Sequence, residues 1–153
     1  MDTCFFIGHK NAPEALYPLL LASIRQHITE YGVQNFVVGN YGDFDQLAAR
    51  ALLKSKVEYP EINLLLLLAY HPFYSAINAP SGFNGTFYPP DMELVPKRAA
   101  IIRANQYMLK HCDYLIVYNR NLVGNTRKIM QTAEHKQKRG LLKIDNLADK
   151  IFA

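Results

Sequence analysis

Four short runs of the chain are apolar without alternation: residues 3–7 (TCFFI), 33–38 (VQNFVV), 62–69 (INLLLLLA) and 113–118 (DYLIVY). A strand with one wet face alternates apolar and polar residues, so unbroken runs of this length read as strands covered on both faces. That condition is met by a parallel sheet sandwiched between helices. The stretches between the runs fit the second half of the requirement. Leu16, Leu19, Leu20, Ile24 and Ile28 recur at helical spacing, as do Phe44, Leu47, Ala48, Ala51 and Leu52. The order strand, helix, strand, helix, strand therefore predicts an α/β protein with a mostly parallel sheet of about five strands. With 153 residues, half of them hydrophobic, the chain has enough material for one domain, 1–153, with a real core.

Local signals place the boundaries. Asn11 and Glu14 have capping-box spacing and Pro13 suits an early helical position. Gly32 is expected to end the first helix, Asp43 to cap the second and Tyr59-Pro60 to stop it. Residues 70–95 break the pattern, with Pro72, Pro80, Pro89 and Pro90 among aromatics. Within them, Asn84-Gly85 between Phe83 and Phe87 reads as a hairpin turn. A loop of this length in a compact domain usually serves function or assembly. A basic helix is expected over 96–110, then the strand 113–118. A helix opening at Gly124 follows, with Ile129, Met130 and Ala133 inward. A short fifth strand is expected over 141–144, with Asp145 capping a last helix.

Ligands of open parallel sheets bind beyond the carboxyl ends of the strands. Here those ends carry Gly8-His9-Lys10, Gly39-Asn40-Tyr41-Gly42, Tyr70 and residues 119–126. Glycine lets a backbone approach a ligand closely, or simply closes a tight turn. His9 suits a phosphate or ribose contact, or a histidine bonded to backbone at a helix entry. Lys10 is a phosphate contact or a solvated charge. Asp45 can accept from a ribose hydroxyl, or sit in a first helical turn for the dipole. Gly124, Asn125 and Thr126 open a helix whose free N–H groups suit a phosphate, with Arg98 and Arg103 of the preceding helix supplying full charges. The aromatics Phe73, Tyr74, Phe83, Phe87 and Tyr88 fit a base-stacking lid or a subunit interface.

Several classes drop out. There is no G-x-G-x-x-G and no Walker-type loop. No nucleophile sits on an elbow motif, and no paired carboxylates suit glycosyl chemistry. Cys4 and Cys112 lie in or beside apolar strands as buried thiols, and no Cys/His spacing fits a metal. No metal or cofactor is expected. The net charge is +4 and the pI about 9.0, but no basic stripe suits a duplex, whereas a nucleotide needs only two or three local charges. The run 62–69 is too short for a membrane helix and the first ten residues lack a signal-peptide pattern, so a cytoplasmic protein is expected.

The segments FFIGHKNAP, YGVQNFVVGNYGDFDQLA, YPEINLLLLLAY, ELVPKRAAIIRANQYMLKHCDYLIVY and NLA, in this order, resemble the SLOG superfamily. The resemblance is to its YpsA-like, DUF1273-type group of small bacterial and phage proteins, and it spans nearly the whole chain. It implies a Rossmann-like three-layer fold and a pocket for nucleotides or nucleotide-derived ligands such as ADP-ribose; a sensor, sequestering protein or carrier of such a ligand is the reading that follows. Related members include the DNA-processing protein DprA and the "lonely guy" phosphoribohydrolases. The phosphoribohydrolases carry an Arg before the fourth strand and a P-G-G-x-G-T-x-x-E loop after it. Arg103 matches that Arg, and Gly124-Asn125-Thr126 the G-T part. The acid is missing, since Arg127, Lys128, Ile129 and Met130 follow; Glu93 is the nearby acid in the lead-in loop. Three expectations follow: a ligand-binding protein, expected to be a homo-oligomer; a nucleotide N-glycosidase; or a single-stranded nucleic-acid-binding module.

Overall fold

The computed structural model describes residues 2–73, 78–119 and 124–151, the side chains of 124–126 excepted. Six strands form one sheet: β1 (Thr3–Gly8), β2 (Asn35–Val38), β3 (Asn63–Leu67), β4 (Gly85–Phe87), β5 (Tyr114–Tyr118) and β6 (Lys143–Asn146). Their order is β4-β3-β2-β1-β5-β6 and every pairing is parallel. The helices are α1 (Leu16–Thr29), α2 (Asp43–Glu58), α3 (Ala100–His111), α4 (Gly124–Lys138) and α5 (Ala148–Ile151). Two single-turn 3-10 helices, Met92–Leu94 and Lys97–Ala99, lead into α3.

Successive residues of each buried strand feed opposite faces, which explains the lack of alternation in sequence. Cys4, Phe6, Phe36, Val38 and Leu64 pack under α1 and α2. Phe5, Ile7, Val37, Leu115 and Val117 pack under α3 and α4. The result is a Rossmann-like three-layer fold. Its strand order reverses between β1 and β5, so the carboxyl ends of those two strands mark the switch point.

The structure departs from the sequence expectations in five places. The helix expected over 96–110 begins only at Ala100, after the 3-10 turn Lys97–Ala99. The sheet has six strands rather than about five, because 85–87 pair in parallel with β3 instead of turning a hairpin. The Asn84 side chain explains this: its Oδ1 accepts from the Leu64 N–H (2.9 Å) and from Lys56 Nζ, which fastens the segment to the sheet edge. No capping box forms at α1. The helix starts at Leu16 without a side-chain cap, and the Glu14 carboxylate accepts from Arg50 Nη1 at 2.7 Å. Asp43 is the first residue of α2 and does not cap it. The last strand lies at Lys143–Asn146, two residues later than expected. Asp145 belongs to that strand, accepting from Ser23 Oγ and Lys150 Nζ, while Asn146 Oδ1 takes the Ala148 N–H at 3.0 Å.

Candidate functional site

The two edges of the sheet treat their polar residues differently. At the amino edge they satisfy one another. Asn63 Nδ2 donates to Asn35 Oδ1 (2.6 Å), Asn35 Nδ2 donates to Thr3 Oγ1 (2.9 Å), and the Thr3 N–H donates to Asp113 Oδ2 (3.0 Å). At the carboxyl edge, Asn119 follows β5 directly and is only 6% exposed. Neither its Nδ2 nor its Oδ1 has a hydrogen-bond partner among the described residues. An unpaired buried amide costs about 1–3 kcal/mol, so it calls for an explanation.

A recess of about 150 Å³ opens beside the switch point, bounded by Gly8, His9, Lys10, Gly39, Tyr41, Gly42 and Asp45, with Ile101 and Asn105 of α3 across from them. Strands β1 and β2 are neighbours, so their ends necessarily meet there. Residues 101 and 105 are one helical turn apart and present one face of α3. The His9 ring packs edge-on to Tyr118 with centroids 5.3 Å apart, tying the β1 end to the β5 end.

The glycines serve the protein's own packing. A Cβ on Gly8 would lie 2.2 Å from Phe44 Cγ, and one on Gly42 would lie 2.8 Å from Lys10 Cα. A Cβ on Gly39 would lie 2.9 Å from Asp45 Oδ2. The bare strand end at Gly39 thus lets the Asp45 carboxylate fold back into the recess. There its Oδ2 accepts the Tyr41 N–H at 3.1 Å. Burial pushes the Asp45 carboxyl up to about 6, partly offset by that hydrogen bond. Tyr41 in turn accepts the Ala69 N–H on its hydroxyl at 2.9 Å, and burial raises its own pKa.

Gly8, His9, Lys10, Gly39, Gly42 and Asp45 lie together around this recess. Asn40 is exposed and does not line the recess. Arg98 and Arg103 are also exposed and line neither cavity described here. On α3, Arg103 sits roughly 160–200° around the helix from Ile101 and Asn105. Gly124, Asn125 and Thr126 form the start of α4, which follows β5; their side chains lie outside the described residues. The same holds for Tyr74 of the aromatic group. Sequence reasoning missed Ile101 and Asn105; it placed Tyr41 and Asn119 at the strand ends without giving either a role. For Asn119 a signal existed: a polar residue directly after a buried strand that neighbours a Gly-His end.

A larger cavity of about 780 Å³ lies beyond the carboxyl ends of β3 and β4. Its walls include Tyr70, His71, Phe73, Tyr88, Met92, Glu93 and Lys97. Among the described residues no cluster of His, Cys, Asp or Glu suits a metal, and no helix is long and apolar enough to cross a membrane. Burial drives both thiols up, Cys112 to about 12 and Cys4 well above its ordinary value, so neither is a ready nucleophile. No family model matches the chain, and no curated protein matches it.

Proposed function

We propose that the carboxyl edge at the β1/β5 switch binds a nucleotide-derived, sugar-containing ligand of the ADP-ribose kind, and that the protein acts as its sensor or sequestering partner. The observation that carries this reading is the recess itself. The ends of β1 and β2 meet there; at the end of the neighbouring strand β5, Asn119 is buried with amide atoms that lack partners among the described residues. Each group has a role in such a complex. The Asp45 carboxylate accepts from ribose hydroxyls. His9 and Lys10 donate to phosphate oxygens. The backbone N–H groups at the start of α4, residues 124–126, receive a phosphate arriving from the switch point. The resemblance to the SLOG superfamily points the same way. Calorimetry with ADP-ribose, cyclic ADP-ribose isomers and common nucleotides tests the reading. Saturable heat that is lost in Asp45→Ala supports it, and no heat at millimolar ligand refutes it.

One observation favours a second reading, cleavage of an N-glycosidic bond. The phosphoribohydrolase acid is missing after Thr126, but Asp45 is a carboxyl pushed up to about 6 inside the recess, which suits an acid working near neutral pH. Release of free base from a nucleoside monophosphate, abolished in Asp45→Asn, would establish it. Absence of any base release leaves the binding role alone.

A further inference from the structure

The recess at the switch point is too small for a whole nucleotide, since pockets for ligands of that size run to roughly 300–1,000 Å³. The larger cavity falls within that range, and the two share a wall. Tyr41 bounds the small recess, and its ring packs edge-on to Tyr70 of the larger cavity with centroids 6.2 Å apart. The Tyr41 hydroxyl holds the backbone of Ala69, which also lines the larger cavity. On α3, consecutive residues serve the two spaces: Ala100 faces the larger and Ile101 the smaller. Both lie along one carboxyl edge, the small one beyond β1 and β2, the large one beyond β3 and β4.

We infer that the larger cavity is the subsite for a flat, amino-bearing heteroaromatic ring of the purine kind, so that one ligand spans both spaces, sugar and phosphate toward β1 and base toward β4. This rests on the nucleotide-binding reading above. The lining carries the argument. Tyr70, Phe73, Tyr88 and His71 give an aromatic surface, with His71 and Tyr88 already edge to face at 5.4 Å. Aromatic rings bind a base through its π face. Glu93 and Lys97 supply one charge of each sign, so the wall offers no net attraction to a phosphate. The Glu93 carboxylate accepts from an exocyclic amine. Lys97 Nζ stands 5.9 Å from the centroid of the Tyr70 ring, the ring that packs on Tyr41 of the smaller recess. Phe73, 84% exposed, adds a large apolar ring to that surface.

Calorimetric titrations with ADP-ribose, ribose 5-phosphate and adenosine separate the two spaces, using the full chain and the variants Tyr88→Leu and Phe73→Ala. Phe73 is exposed, so its loss does not threaten folding. Each variant is expected to weaken ADP-ribose and adenosine by about tenfold, the scale of one lost stacking contact, and to leave ribose 5-phosphate unchanged. Equal loss for all three ligands, or no loss for ADP-ribose in either variant, overturns the base subsite. Adenosine binding that is lost in the variants, with no response to ribose 5-phosphate in the wild type, keeps the base subsite and overturns the sugar-phosphate reading of the small recess. Failure of the wild type to bind any of the three overturns both.

Discussion

Asp45 is a residue whose burial costs stability at neutral pH. Its ordinary pKa of 3.8 rises to about 6 in the folded protein, so the folded state holds the proton more tightly than the unfolded chain. A raised pKa contributes stability that is complete below about pH 3.8 and lost as pH rises through about 6. Two pKa units correspond to roughly 2–3 kcal/mol, so Asp45→Asn should be more stable than wild type by about that amount at pH 7. Denaturant titrations at pH 7 and at pH 3.5 check this: the advantage should vanish at the lower pH. Retaining such a residue at neutral pH makes sense if the carboxylate meets a ligand. Gly8 shows how far a single residue is legible. Its place at a strand end marked it as special, yet the reason lies in a partner 36 positions away that no local pattern connects to it. Gly8→Ala drives a methyl into the Phe44 ring and should cost about 1–3 kcal/mol. Part of that cost should return in the double variant with Phe44→Leu, measured by a double-mutant cycle.

Among the elements, the buried strands and the two helices between them were readable because burial on both faces leaves a strong apolar signature. The strand Gly85–Phe87 was not. Asn-Gly is a turn signal in isolation, but here the Asn84 side chain spends its acceptor on the Leu64 backbone and Lys56, and three residues join the sheet. A long-range side-chain bond decided the outcome over local turn chemistry. The end of α3 depends on a similar contact. Lys136 Nζ, reaching from α4, donates to the carbonyls of Leu109 (2.8 Å), Lys110 (3.1 Å) and Cys112 (2.8 Å). These are final carbonyls of a helix, where a cation is favoured by the dipole. Lys136→Met keeps the stem and removes the charge, and should lower stability by about 1–3 kcal/mol in thermal or denaturant unfolding. Because α3 carries Ile101 and Asn105, the same variant should also weaken ligand binding.

For the whole molecule, sheet order decides what can meet. The sequence announced strands and helices but not that β1 lies between β2 and β5, and this arrangement brings the Gly8, Gly39 and Asn119 ends to one edge. Ile101 and Asn105 joined the recess only through the packing of α3. The opposite edge carries a different dependence on pH. His27 is buried, its Nδ1–H donates to the Ser23 carbonyl at 2.7 Å, and Tyr31 and Tyr114 pack edge-on to its ring. Burial lowers its pKa from the ordinary 6.5. A lowered pKa gives stability that is present above pH 6.5 and is lost as pH falls through the folded value. The loss of stability between pH 7 and pH 5 should therefore be smaller in His27→Leu than in wild type.

The central claim concerns one edge of one sheet. At 17.5 kDa the protein suits amide-resolved NMR, and a titration with ADP-ribose tests the claim at each residue. The expected result is a saturable set of shifts at Gly8, His9, Gly39, Tyr41, Gly42, Asp45, Asn105 and Asn119, with Tyr70 and Tyr88 joining from the larger cavity. Shifts confined to the basic surface of α4 around Arg127, Lys128 and Lys138, or no shifts at millimolar ligand, would contradict the account.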